Sequence, residues 1–160
     1  MVDRAYPPYV ADERQMLDSW LEFHRATLAL KCEGLTPEQL VKQSAPPSNL
    51  SLLGLVRHMA EVERNWFRRC LADEHVKGIY YTDADDAAGA EADFATWRDE
   101  CDRARANAAA CESLDQLGRR KRRGEGVTLR WIMVHMIEEY ARHNGHADLI
   151  RERIDGAVGE

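Results

Sequence analysis

The segment Glu139-Tyr140-Ala141-Arg142-His143 sets a carboxylate four residues ahead of an imidazole. On an α-helix that spacing brings both groups to one face, within reach of a common divalent cation, for which carboxylate oxygen and imidazole nitrogen are ordinary donors. At about 100° per residue, Ile132, Met136 and Ile150 lie within about 20° of His143, and Glu139 within about 40°. Both donors are therefore expected to point inward, where a bare carboxylate would lose its hydration and a cation would offset that cost. His146 falls about 60° from His143, and His135 about 80° away at the edge of the stripe. A two-donor clip needs a third ligand from another helix. His58, bordering Leu55 and Val62, is the candidate. Three protein donors would leave one or two positions open, which is the arrangement of a catalytic metal rather than a structural one. In the plainer reading, Glu139 and His143 hydrogen-bond to each other, to Arg142 or to Tyr140, and hold no ion.

These donors need long helices to carry them. Residues 12 to 32 place Met16, Leu17, Trp20, Phe23, Leu28 and Leu30 at helical spacing, with Gly34 just past the end. Thr36, Pro37 and Glu38 open one short turn before the loop from Ser44 to Ser48. The spacing of Leu52, Leu55, Met59, Val62, Trp66 and Cys70 predicts a second long helix over 51 to 71. Residues 72 to 90 lose the pattern among Gly78, Tyr80, Tyr81, Asp83, Asp85, Asp86 and Gly89, as a crossover and candidate lid would. A third helix is expected over 91 to 117, followed by the basic run Arg119-Arg120-Lys121-Arg122-Arg123. The fourth and longest runs from about Leu129 to Ile154 and closes at Gly156. The expected fold is all-α, a four-helix bundle, either up-and-down or with long crossover connections.

At 160 residues the chain suits one domain, 1–160. A net charge of -6 argues against a nucleic-acid partner. No apolar run approaches membrane-spanning length and the first residues lack a signal-peptide pattern, so a cytoplasmic protein without membrane contact is expected. Cys32, Cys70, Cys101 and Cys111 are scattered, without the pairing of a thiolate zinc site, and read as buried or reduced thiols. The basic run reads as a solvated turn suited to the C-terminal end of the third helix, with anion binding as the sharper alternative. Trp20, Trp66, Trp97 and Trp131 read as core or cavity-rim aromatics, while His24 and His75 stay outside the ligand set. The acidic stretch Asp83 to Asp86 lacks the spacing of a calcium loop.

Two long stretches go beyond a simple clip. They are Ser51-Leu52-Leu53-Gly54-Leu55-Val56-Arg57-His58, running on through Glu63 to Trp66 and Phe67, and Leu129-Arg130-Trp131 through His135, Glu138-Glu139-Tyr140, Arg142-His143-Asn144-Gly145-His146 and Asp148 to Arg151-Glu152. Over nearly the whole chain these resemble the DinB-like superfamily of metal-binding four-helix bundles, in particular its actinobacterial small-protein branch. The resemblance implies one metal-binding histidine on the second helix, matching His58, and a pair spaced by four on the last, matching Glu139 and His143. The commoner pattern has histidine at the first position of that pair, so Glu139 is a departure that resembles the mycothiol-dependent isomerase branch. His146 replaces a common glutamine and is implied as an outer partner, an extra ligand or a proton carrier.

By the same resemblance the expected activity is a thiol S-transferase or isomerase, in which a divalent metal activates mycothiol or a related thiol toward an electrophilic substrate. Zinc or nickel is expected, although two imidazoles and a carboxylate also suit iron or manganese. The alternatives are a hydrolase using metal-activated water, and a non-enzymatic metal-binding or stress-response protein. A homodimer is compatible with apolar faces on a helical bundle.

Overall fold

The computed structural model describes residues 3–79 and 87–159. Among them the chain is all-α, with α1 at Glu13–Cys32, a one-turn α2 at Pro37–Leu40, α3 at Leu52–Glu63, α4 at Ala90–Ala109 and α5 at Leu129–Asp155. Each long helix that begins in a polar residue is capped by it. The side chains of Asp12, Ser51 and Thr128 accept from the backbone N–H groups of Gln15, Gly54 and Trp131. Gly156, at φ 78°, takes the left-handed turn that ends α5, and its N–H donates to the Glu152 carbonyl.

The expected second helix is continuous to Leu71 but changes its winding. From Arg64 to Leu71 it is a π-helix. The wider turn lets Trp66, Phe67, Cys70 and Leu71 all face the interior, while Arg64 and Arg68 reach the buried Glu100 of α4. The third helix is shorter than expected. It stops at Ala109 rather than near Gly118. Cys111 and Leu114 keep helical spacing and are buried, but they reach the core from a turn in which the Ser113 hydroxyl accepts from the Asp115 N–H.

That shortening moves the basic run away from the end of the third helix, correcting its assignment there. Leu117 bridges Thr128 and Arg122 bridges Glu125 in a folded-back loop. The N–H groups of Arg119 and Arg120 donate to the carbonyls of Leu71 and Cys70, which the end of the π-helix leaves unpaired.

Around the bundle α1 packs on α5, α5 on α3, and α3 on α4. Helices consecutive in the chain, α1 with α3 and α4 with α5, are therefore diagonal, and residues 33–51 and 110–128 are the long crossovers. The segment after Leu71 connects α3 to α4, which pack on one another. The proposed lid residues Tyr80, Tyr81, Asp83, Asp85 and Asp86 lie outside the described residues. The core holds Leu28, Leu52, Leu53, Met59, Ile132 and Met136, all effectively without solvent contact.

One polar cluster sits inside it. The Arg25 guanidinium of α1 donates to both oxygens of Glu63, at 2.8 and 2.7 Å. The Tyr140 hydroxyl of α5 donates to Glu63 Oε1 at 2.8 Å and accepts from the indole N–H of Trp97 in α4 at 2.9 Å. Four helices thus meet at one carboxylate. All four cysteines are buried and free.

Candidate metal centre

His58 stands at the seventh position of α3, and Glu139 and His143 lie one turn apart on α5, so the α3–α5 seam brings the three together. Glu139 Oε2 is 3.5 Å from His143 Nε2 and 3.9 Å from His58 Nε2. The two imidazole rings meet edge to face with centroids 4.6 Å apart. One donor atom from each of the three lies within 4.8 Å of the others. Donors this close form a group that could hold one ion, whose bonds are about 2.0–2.2 Å long.

The site is a rim and not an interior point. The sequence reading aims Glu139 and His143 inward, but the buried stripe of α5 is centred near Tyr140 and continues through Asn144 and Ala147. Glu139 and His143 flank it, with side chains 16% and 13% exposed, and His58 is 47% exposed. Seen from His143 the stripe looks centred on that residue, but Tyr140 and Asn144 fill the centre, where the Tyr140 hydroxyl and the Asn144 amide nitrogen find partners. Tyr140 reaches Glu63, and the Asn144 amide donates to the His24 carbonyl at 3.0 Å. Neither Tyr140 nor Arg142 pairs with the two donors: the first serves Glu63, and the second pairs with Glu138.

The remaining histidines divide the work. His146 Nδ1 lies 3.4 Å from His143 Nδ1, on the side of the ring away from Glu139. His135 Nε2 lies 3.5 Å from Glu139 Oε1, the oxygen that His58 and His143 do not face. His135, Glu138 and Glu139 form a second group whose donors also converge. His24 sits against Asn144 and the rings of Trp20 and Phe23, outside the donor set.

Electrostatics keeps the central imidazole neutral. Burial, reinforced by His58 and outweighing the attraction of Glu139, pushes His143 down to about 4. Burial also lowers His135, against the pull of Glu139. A neutral ring presents a lone pair, which is what coordination requires.

The buried Arg25–Glu63–Tyr140 cluster is what the sequence reading missed as a positioning device. Its signal is Arg25 in the apolar series Leu21, Leu28 and Cys32, at spacings of four, three and four. A charged residue centred on an apolar stripe demands a buried partner. Tyr140 adjoins Glu139 in the chain, so the cluster sets the rotation of α5 that turns Glu139 and His143 toward α3.

No curated protein gives a significant match to the chain. A family model described as mycothiol S-transferase matches residues 16–156, which run from the first turn of α1 past the end of α5 and include every donor above. The chain therefore belongs to the mycothiol S-transferase family, a DinB-like family.

Proposed function

We propose that this chain joins the sulfur of mycothiol, or a related small thiol, to an electrophilic small molecule at a divalent cation, zinc or nickel, held by His58, Glu139 and His143. The observation that carries the reading is the convergence of those three donors on the rim of the α3–α5 seam. The donor set fits the ion: two imidazole nitrogens and a carboxylate oxygen, with the nearest ring kept neutral and the face above them reached by solvent through His58. A cation bound there supplies the acidity that lets a ligating thiol lose its proton near neutral pH.

The chain's own residues do the rest. His146 holds His143 by its Nδ1, leaving Nε2 to face the ion, and so acts as a positioning partner and a proton acceptor at the site's edge. His135 lies beside Glu139 Oε1, on the side away from His58 and His143, which leaves Oε2 for coordination. The rim position excludes little water but admits a thiol and a second molecule together. The four buried free cysteines suit a cytoplasmic, reducing setting.

The test couples metal content to chemistry. Elemental analysis of untagged protein should find about one divalent ion per chain, and the His58→Ala, Glu139→Gln, His143→Ala triple variant none. His146→Ala should bind the ion about 10- to 100-fold more weakly. Metal-loaded protein with mycothiol and electrophiles should form thioethers. No thiol consumption above the metal-free control would reject the transferase, and ester or amide cleavage without thiol would favour the hydrolase.

A further inference from the structure

Beside the donor set lies a cavity of about 540 Å³, within the range of small-molecule sites. Trp66, Trp131, Val127 and His135 form its walls, and Arg122 and Arg123 its mouth. The two indoles are 5.0 Å apart, His135 stacks on Trp131 at 4.9 Å and 23°, and it meets Trp66 edge-on at 4.8 Å. The three rings thus pack on one another as a single aromatic wall of the cavity, a surface on which a flat molecule can lie. Trp131 is 50% exposed and lines the cavity.

The mouth is built and cationic. The Arg122 guanidinium lies 4.8 Å over the Trp66 ring. Neither Arg122 nor Arg123 forms an ion pair with a described carboxylate, whereas the neighbouring Arg120 pairs with Asp73. Glu125, the acidic residue of the lining, meets Arg122 through two backbone hydrogen bonds of 2.9 Å. The backbone of the loop that carries Arg122 and Arg123 is tied to the end of the π-helix through the N–H groups of Arg119 and Arg120. The inner wall adjoins the donor set, because His135 Nε2 is 3.5 Å from Glu139 Oε1.

We propose that this cavity is the electrophile subsite, and that it takes a planar aromatic electrophile bearing a carboxylate. The arene lies against that aromatic wall and Arg122 and Arg123 take the carboxylate, leaving the reactive carbon at the His135 end of the cavity, which adjoins Glu139. The only side-chain oxygens in the lining belong to Glu125 and Thr128, too few to satisfy the hydroxyls of a sugar-bearing thiol, so the thiol enters from the His58 side. With a haloarene, the thiol sulfur forms the new carbon–sulfur bond, the halide leaves with the carbon–halogen electron pair, and the thiol proton passes to solvent. The reaction rests on the transferase reading above; the binding does not.

The test separates the two. Titration calorimetry and tryptophan fluorescence on metal-free protein compare a chloronitrobenzoate with its methyl ester. The acid should bind about tenfold more tightly than the ester, as a charge-assisted contact requires. The Arg122→Ala, Arg123→Ala double variant should erase that preference, and Trp131→Ala should weaken both ligands about tenfold, with circular dichroism unchanged because all three side chains are surface groups. Equal binding of acid and ester, an unchanged preference in the double variant, or unchanged affinity in Trp131→Ala would each overturn the subsite. Acid-selective binding without thioether formation by zinc-loaded protein and mycothiol would sink the transferase reading alone. Thioether formation with acid and ester at equal KM, indifferent to the arginines, would sink the subsite alone.

Discussion

Replacing Glu63 by Gln tests the buried cluster that sets α5. The carboxylate is fully buried and its partner Arg25 is 5% exposed, with contacts of 2.8 and 2.7 Å. Gln keeps the volume and one acceptor, but it removes the charge and turns an amide NH2 toward the guanidinium, so a donor faces a donor. Breaking a buried pair from one side costs about 3–5 kcal/mol. Arg25 retains Glu22 at 2.6 Å, a partner whose side chain is 44% exposed, so the lower end, about 3 kcal/mol, applies. Against a total of about 5–15 kcal/mol that is a large share. In urea, with a slope of about 2 kcal/mol/M, the midpoint should fall by about 1.5 M. Far-ultraviolet circular dichroism and tryptophan fluorescence should report the same transition, with the slope unchanged. Replacing both partners, Arg25→Met with Glu63→Leu, should recover most of the loss, because no buried charge is then orphaned. A loss below about 1 kcal/mol for Glu63→Gln, or additive losses in the double variant, would refute the reasoning.

The other predictions concern pH and packing. His24, His135 and His143 are all held below their ordinary value of 6.5 by burial, His143 to about 4, so the unfolded chain takes up protons first as pH falls. Stability of the metal-free protein should be fully present above about pH 6.5 and decline toward pH 4, each histidine contributing up to about 1.4 kcal/mol per pH unit. Urea titrations at stepped pH check this, and a slope that His143→Ala leaves unchanged would refute that residue's share. At Gly118 an added Cβ would stand 2.9 Å from the Cys70 carbonyl oxygen and 3.3 Å from Leu71 Cα, backbone that cannot rotate away. Gly118→Ala should therefore cost about 1–3 kcal/mol, read as a lowered urea midpoint, and a midpoint equal to wild type would show that the loop shifts freely.

Much of the frame was legible in one dimension. The capped starts at Asp12, Ser51 and Thr128, the stop at Gly156, and the four-residue step from Glu139 to His143 are local properties. They follow from a turn of about 100° per residue and from the unpaired groups at helix ends. The family motif rests on the same local stretches, which is why the resemblance could be recognised before any contact was known.

What spacing could not decide is what faces what. Cys111 and Leu114 look helical because their burial has helical period, yet they are buried from a turn, since the core accepts an apolar side chain from any backbone that reaches it. Glu139 and His143 share a face by sequence, but their place on the rim was decided by Tyr140 finding Glu63, and Glu63 finding Arg25, on other helices. The aromatic wall of the cavity likewise needed the π-helix, α5 and the basic loop to close on one another, bringing Trp66, Arg122 and Trp131 together across 65 residues of chain. Periodicity is set residue by residue along one helix. The choice of partner depends on pairing buried polar groups such as Arg25, Glu63 and Tyr140 across several helices at once, and only the folded chain makes it.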